Sequence, residues 1–414
     1  MSKEIIFIVQ QLESGGLEKA VITLANALSE RNDYNVNLYI ILHSKPIVPI
    51  AEKITVVFLT KRKLNEEIKI ECCSHKQIEL NILCRLIRKV KRFFHKQVEL
   101  NAVRKLIRKT RNSIVISTRN EYSTIISKNT DKSNFIIAQL HNDYSKEELN
   151  DFVTKYQHIN VFVQLNETFK KEIESALRKK NSFTKVIVIP NFIDQQNYVE
   201  EKRENYVIAV GRFSRIKGFD RLITIWEMIC KEITDWKLLI IGDGNEFENI
   251  KNLVIEKNLN ANVELLGRLD NNEVFRYMRK SKIYTLTSYS ESFSLVTLEA
   301  MQNKLPVVAF DVRTGPRNII KNTETGYLVK DGNIDAYSEK IMFLMKNEGI
   351  RQKMGMSAFA HSNNFLKENV MKKWYELIDS RDSERKQNIK LTQKLDWGGY
   401  NSIIYAAPLS RRAA

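Results

Sequence analysis

Two glutamates eight residues apart, Glu291 and Glu299, bracket a run of small and apolar residues from Ser292 to Leu298. The strand-like run Ile283–Leu286 precedes them, and Leu295, Leu298 and Met301 follow at helical spacing, so the segment reads as a loop entering a helix. The first amides of a helix lack partners within it and favour a negative group. The N–H groups of Phe293, Ser294 and Leu295 are therefore an expected anion cradle. Glu291 falls in the loop and Glu299 about two turns inside the helix. One carboxylate could hold sugar hydroxyls and the other ribose hydroxyls, with a diphosphate between them. The same spacing also suits two solvated glutamates on an ordinary helix.

Other residues sharpen this chemistry. There is no Gly-x-Gly-x-x-Gly and no Walker A sequence, which disfavours nicotinamide and flavin oxidoreductases and P-loop nucleotidases. There is no Asp-x-Asp, so no metal clamp on a diphosphate is expected and no metal or cofactor is assigned. A leaving diphosphate must then be neutralised by side chains and amides. Arg212 and Lys217, five apart after the strand Tyr206–Val210, suit that purpose, since one offers a planar fork and the other a point charge. They would otherwise be surface cations at a turn. Gly15-Gly16 follows the first strand and permits close backbone approach to a sugar or phosphate. His141 ends the run Phe135–Leu140, where a side chain meets a cleft. Asn142 and Asp143 follow it as acceptor-side candidates, and Thr314-Gly315-Pro316 is a tight turn that could approach the acceptor.

These segments together resemble family 4 of the retaining, nucleotide-sugar-dependent glycosyltransferases, which have the GT-B architecture. The likeness rests on Glu291 to Glu299, on Gly211-Arg-Phe-Ser-Arg-Ile-Lys217-Gly218, on Ser14-Gly-Gly-Leu-Glu18 and on Thr314 through Val329. It is dense over 206–346 and thinner over 3–28 and 136–191. The resemblance implies transfer from a nucleotide-sugar, more readily UDP- than GDP-linked, with retained anomeric configuration. Glu291, His141, Arg212 and Lys217 become catalytic candidates. Gly15, Gly16, Arg268, Leu269, Phe293, Ser294, Leu295 and Glu299 become donor-binding candidates, with Arg268 and Leu269 beside the nucleobase. The implied acceptor is a bacterial surface glycan such as capsule or lipopolysaccharide, free or lipid-linked. Ser292 and Ser294 depart from the family, which often has Gly at the first and Gly or Pro at the second. Rival readings are a nucleotide-sugar 2-epimerase of the same architecture, a degenerate membrane-associated partner subunit, and a basic nucleic-acid binder.

The chain carries a net charge of +17, and residues 61–112 hold 16 Lys or Arg against 5 Asp or Glu. In that region His75-Lys-Gln-Ile-Glu-Leu-Asn81 recurs as His95-Lys-Gln-Val-Glu-Leu-Asn101. Apolar residues from Ile78 to Phe94 fall on one helical face, and Arg85, Arg88, Lys89 and Arg92 fall opposite. A 20-residue period is about 200° out of phase with whole turns, so the second copy's apolar face would point where the first copy's basic face points. Two helices broken near Phe93–Lys96 are therefore expected, the first an inserted duplication docking on an anionic membrane. The competing reading packs both apolar faces on the sheet. No nucleic-acid partner is assigned.

The elements that must position these residues alternate. Short β-branched runs from Ile5–Val9 to Val186–Ile189, and again from Tyr206–Val210 to Tyr327–Val329, are separated by periodic helical segments, which predicts parallel sheets covered by helices. The 414 residues exceed one ordinary core. The expected architecture is α/β: two Rossmann-like, doubly wound domains facing across a cleft. The first spans 1–192, with the basic repeat at 75–112. A donor domain spans 193–365, and 366–414 hold a returning helix and tail. No run of 18 apolar residues occurs and the four cysteines show no paired spacing. A cytoplasmic enzyme, peripheral on the inner face of the plasma membrane, is expected.

Overall fold

The computed structural model describes residues 2–13, 15–61, 77–141, 149–150, 154–178, 181, 183–196, 199 and 201–396, with the side chains of 77–88 and 382–396 outside that description. Residues Met1–Met371 form one compact unit, and Lys372–Ala414 a second.

The first unit contains two sheets, both wholly parallel in the pairings described. Strands β1 (Lys3–Val9), β2 (Tyr34–Ile40), β3 (Thr55–Phe58), β4 (Ile114–Ser117), β5 (Phe135–Gln139), β6 (Val161–Gln164) and β7 (Lys185–Val188) run in the order 3-2-1-4-5-6-7. Strands β8 (Tyr206–Val210), β9 (Lys237–Ile241), β10 (Val263–Gly267), β11 (Ile283–Leu286), β12 (Val307–Asp311) and β13 (Gly326–Lys330) run in the order 10-9-8-11-12-13. Central strands such as Ile114–Ser117 and Ile283–Leu286 are buried throughout, as sheets covered on both faces require. Each order reverses once, between β1 and β4 in one sheet and between β8 and β11 in the other. Loops beyond the carboxyl ends of strands at such a reversal form the natural crevice of an open parallel sheet. The candidate residues after β1, β8 and β11 lie at these two points.

The second sheet's crevice is braced from below. Gly218 adopts φ 64°, and a Cβ there would come within 2.1 Å of the Thr287 carbonyl oxygen, so only glycine lets the loop after β8 lie against the loop after β11. Arg221, 6% exposed, donates through Nε to the Thr287 carbonyl and through Nη2 to that of Ser288. Its Nη1 reaches Asp331 at 2.7 Å, and its guanidinium lies 4.0 Å from the Phe310 ring centroid.

One expectation fails. The basic repeat is a single helix, Gln77–Lys109, with no break near Phe93–Lys96. The sequence from 77 to 109 has no Gly or Pro, so nothing interrupts the hydrogen-bond ladder. The phase swap is absorbed by burial instead. Val103 and Ile107 are fully buried in the core beside β4, and Glu99 accepts from the Tyr122 hydroxyl. Val90, Phe93, Phe94 and Val98, on the far side of the same helix, stay 52–61% exposed.

Gly218→Ala is expected to destabilise the protein by about 2 kcal/mol or more through left-handed backbone strain and the carbonyl clash, read as a lowered urea midpoint. An unchanged midpoint would show that the two loops do not need this close approach.

Candidate active site

Loops from both sheets converge on a cavity of about 710 Å³. The first sheet supplies Gly15, Gly16, Glu18, Arg119 and His141; the second supplies Arg212, Lys217, Glu291 and Phe293–Leu295. Lys217 closes a 3₁₀ turn, Arg215–Lys217, after β8. Its Nζ donates to Glu291 Oε2 at 2.6 Å. That carboxylate also accepts from Ser288 Oγ at 3.2 Å. A cation suited to phosphate and an acid suited to sugar hydroxyls are thus held on one another, within reach of the same ligand.

The helix Leu295–Gln302 begins after Ser294, which takes φ 71°. This left-handed conformation strains a residue bearing a Cβ by roughly 1–2 kcal/mol. Ser294 Oγ lies 2.8 Å from Thr297 Oγ1. Phe293 is buried, its ring set edge-on to Phe365. Thr314 is also buried and donates to the Glu291 carbonyl at 2.8 Å. A Cβ on Gly315 would meet the same carbonyl at 2.5 Å. The Thr314–Gly315 turn therefore fastens the Glu291 backbone.

Glu299 is 7% exposed and accepts from Lys19 Nζ at 2.6 Å. The pair lines an adjoining cavity of about 440 Å³, and Leu295 lines both cavities. Lys19 lies in the first helix, Gly16–Ser29, so this contact ties the first sheet's crevice to the second's. Arg313–Glu172 at 2.5 Å repeats the tie elsewhere.

His141 keeps partial exposure overall, but its Nε2 is shielded and has no hydrogen-bond partner among the described residues. Burial lowers its pKa to about 4, so at neutral pH the ring that lines the cavity is uncharged. Burial raises the Glu18 carboxyl above its usual range, against the opposing pull of its own backbone amide, Arg119 and Gln11.

Arg268 is largely exposed, 3.9 Å from Asp243, and Leu269 packs on the core of the second sheet; neither lines the larger cavity. Asn142 and Asp143 lie outside the described residues, as do the side chains of Arg85 and Arg88, while Lys89 and Arg92 are exposed. Sequence reasoning missed Lys19, Glu18 and Arg119. The first two directly follow Gly15-Gly16 and could have been taken with that motif. Arg119 carries no local signal beyond ending a strand.

Two doubly wound sheets whose reversal points face one cavity define a GT-B architecture. Residues 191–361, which carry Arg212, Lys217, Glu291 and Glu299, match the family described as glycosyl transferases group 1, and nearly the whole chain is similar to proteins named as glycosyltransferases. Over 377 residues it is 26% identical to an uncharacterized glycosyltransferase of Haemophilus influenzae, covering 90% of this chain and 99% of the relative. Over 395 residues it is 26% identical to the amylovoran biosynthesis glycosyltransferase AmsD of Erwinia amylovora, covering 92% and 100%. The crystal structure of a TarM mutant of S. aureus in complex with Fondaparinux, alpha-GlcNAc-glycerol and UDP superposes with a TM-score of 0.71 at 17% identity, covering 91% and 99%.

Because His141 is neutral when folded and titrates near 6.5 when unfolded, the unfolded chain binds the extra proton between the two values. Stability from this residue is complete above about pH 6.5 and is lost as pH falls toward 4, at most about 3 kcal/mol. Thermal melts from pH 7.5 to 5 should fall more steeply for wild type than for His141→Gln; parallel curves would refute the burial of this ring.

Proposed function

We propose that the enzyme moves a sugar from a UDP-sugar to a glycan or lipid-linked acceptor of a bacterial surface polysaccharide, with retention of configuration. The observation that carries this is the convergence of Lys217, Glu291, Arg212 and His141 on one cavity that adjoins the Glu299 cavity through Leu295. A nucleotide-sugar spanning both would place its ribose at Glu299, its diphosphate at the start of the helix Leu295–Gln302, and its sugar between Glu291 and His141. Relatives support the substrate classes: AmsD is named for amylovoran biosynthesis, and TarM was crystallised with UDP.

In the proposed reaction Lys217 and Arg212 take up charge on the diphosphate as the sugar C1–O bond breaks. The acceptor oxygen attacks C1 from the same face, and its proton passes to the departing phosphate oxygen. Glu291 orients sugar hydroxyls and neutral His141 hydrogen-bonds the sugar, so neither needs to exchange a proton. The two side-chain cations and the helix amides carry the anion without a metal. The relatives named above are glycosyltransferases, which supports transfer over epimerisation.

The reading extends to a membrane surface. No described helix is long and apolar enough to cross a membrane. The helix Gln77–Lys109 instead presents exposed Val90, Phe93, Phe94 and Val98 next to exposed Lys89, Lys91 and Arg92. Such a combination inserts shallowly into anionic lipid. It would hold a lipid-linked acceptor near the cleft.

Two experiments follow. In a thermal-shift comparison of UDP, GDP and ADP, UDP should stabilise most, by about 2.7 kcal/mol at a hundredfold excess over Kd, equally with EDTA. Glu299→Ala should weaken UDP at least tenfold; no nucleotide effect at all would sink the enzymatic reading. In flotation with phosphatidylglycerol vesicles, Phe93→Ser/Phe94→Ser should leave most protein unfloated. Equal flotation, or a wild type that dimerises instead of floating, would overturn the membrane assignment.

A further inference from the structure

The first sheet's reversal point carries its own charged pair, which the proposed reaction does not use. Arg119 follows β4, beside β1. It stands to the first crevice as Glu291, after β11, stands to the second. Its side chain lines the larger cavity from the first sheet's loops, whereas Arg212 and Lys217 line it from the second's.

Arg119 is poorly matched within the protein. Its Nε is buried and has no hydrogen-bond partner among the described residues. The nearest described carboxylate oxygen, Glu18 Oε1, lies 4.0 Å from Nη2, beyond hydrogen-bond reach. Glu18 is held elsewhere: its carboxyl hydrogen-bonds its own backbone amide and Gln11. A Cβ added to Gly15 would touch its Oε2 at 2.8 Å, so the carboxyl is tucked under the glycine loop. Glu18 thus lends Arg119 charge compensation at 4.0 Å but no hydrogen bond. A shielded guanidinium nitrogen left without an acceptor is costly, and the planar fork fits one ligand class best, the two oxygens of a phosphate or carboxylate.

We infer that Arg119 is the anchor of an acceptor subsite for an anionic substituent, a phosphate or carboxylate carried close to the accepting hydroxyl. The inference rests on the proposed donor placement, in which Arg212 and Lys217, from the second sheet's loops, serve the diphosphate and leave Arg119 to the other substrate. It makes the acceptor a charged glycan, such as one built from polyol phosphates or uronic acids, and excludes a wholly neutral sugar chain at this position.

The test uses the full-length enzyme saturated with UDP, titrated calorimetrically with glucose 6-phosphate, glycerol 1-phosphate and glucuronate against glucose and glycerol. At least one anionic probe should bind wild type at least tenfold more tightly than its neutral counterpart. Arg119→Gln should erase that preference, and Arg119→Lys should restore part of it, while both keep the UDP Kd within about twofold. The Lys variant guards against misfolding, because UDP binding reports an intact cleft in every sample. An absent preference in wild type, or one that survives in Arg119→Gln, overturns the subsite. A tenfold loss of UDP affinity in both variants would assign Arg119 to the donor instead. Failure of wild type to bind UDP would strike the proposed function itself, a result distinct from loss of the anion preference alone.

Discussion

The ion pair between Lys217 and Glu291 is the contact on which the rest of the site depends. The two groups come from loops 74 residues apart, and a 2.6 Å contact requires both backbones to be fixed. Gly218 allows one loop to lie on the other, Arg221 ties down two carbonyls, and Thr314 and Gly315 fasten the Glu291 backbone. A partly exposed ion pair contributes little to stability on its own. Its role is positional: it holds a carboxylate and an ammonium against one another at the cavity wall, within reach of the diphosphate-sugar proposed as the ligand.

The first sheet completes the site through a different device. Lys19 reaches across to Glu299 from the first helix, and His141 faces the cavity without charge. A neutral ring beside two acids and three cations can donate or accept a hydrogen bond without altering the charge balance that a diphosphate would meet. Each side of the cleft therefore carries both signs of charge. Two cations sit on the second sheet's loops near the start of the Leu295–Gln302 helix, and one sits on the first sheet's wall.

Much of this was legible in the residues. The strand runs, the reading of Glu291 as a loop residue and Glu299 as a helical one, and the junction at Arg212 and Lys217 depend on local pattern, because buried parallel strands and helix starts leave a direct signature. The basic repeat shows where local pattern misleads. Its period demanded a phase swap, and a break was the simplest remedy. The chain kept one helix and left Phe93 and Phe94 outside, since an uninterrupted ladder of backbone hydrogen bonds outweighs exposing a few apolar side chains. The hydrogen bond from Thr314 to the Glu291 carbonyl is likewise visible only in the structure.

The sequence by itself determined the class of fold and the second sheet's half of the site, because those residues are grouped in short motifs whose spacing is set by the geometry of one strand, one turn and one helix. Tertiary structure alone decided the pairings between distant segments: Lys19 with Glu299, Lys217 with Glu291, and Arg119 beside an acid committed elsewhere. These contacts arise from strand order. The reversal between β1 and β4, and between β8 and β11, brings together loops that are far apart in the chain, and no local pattern of side chains encodes which loops will meet.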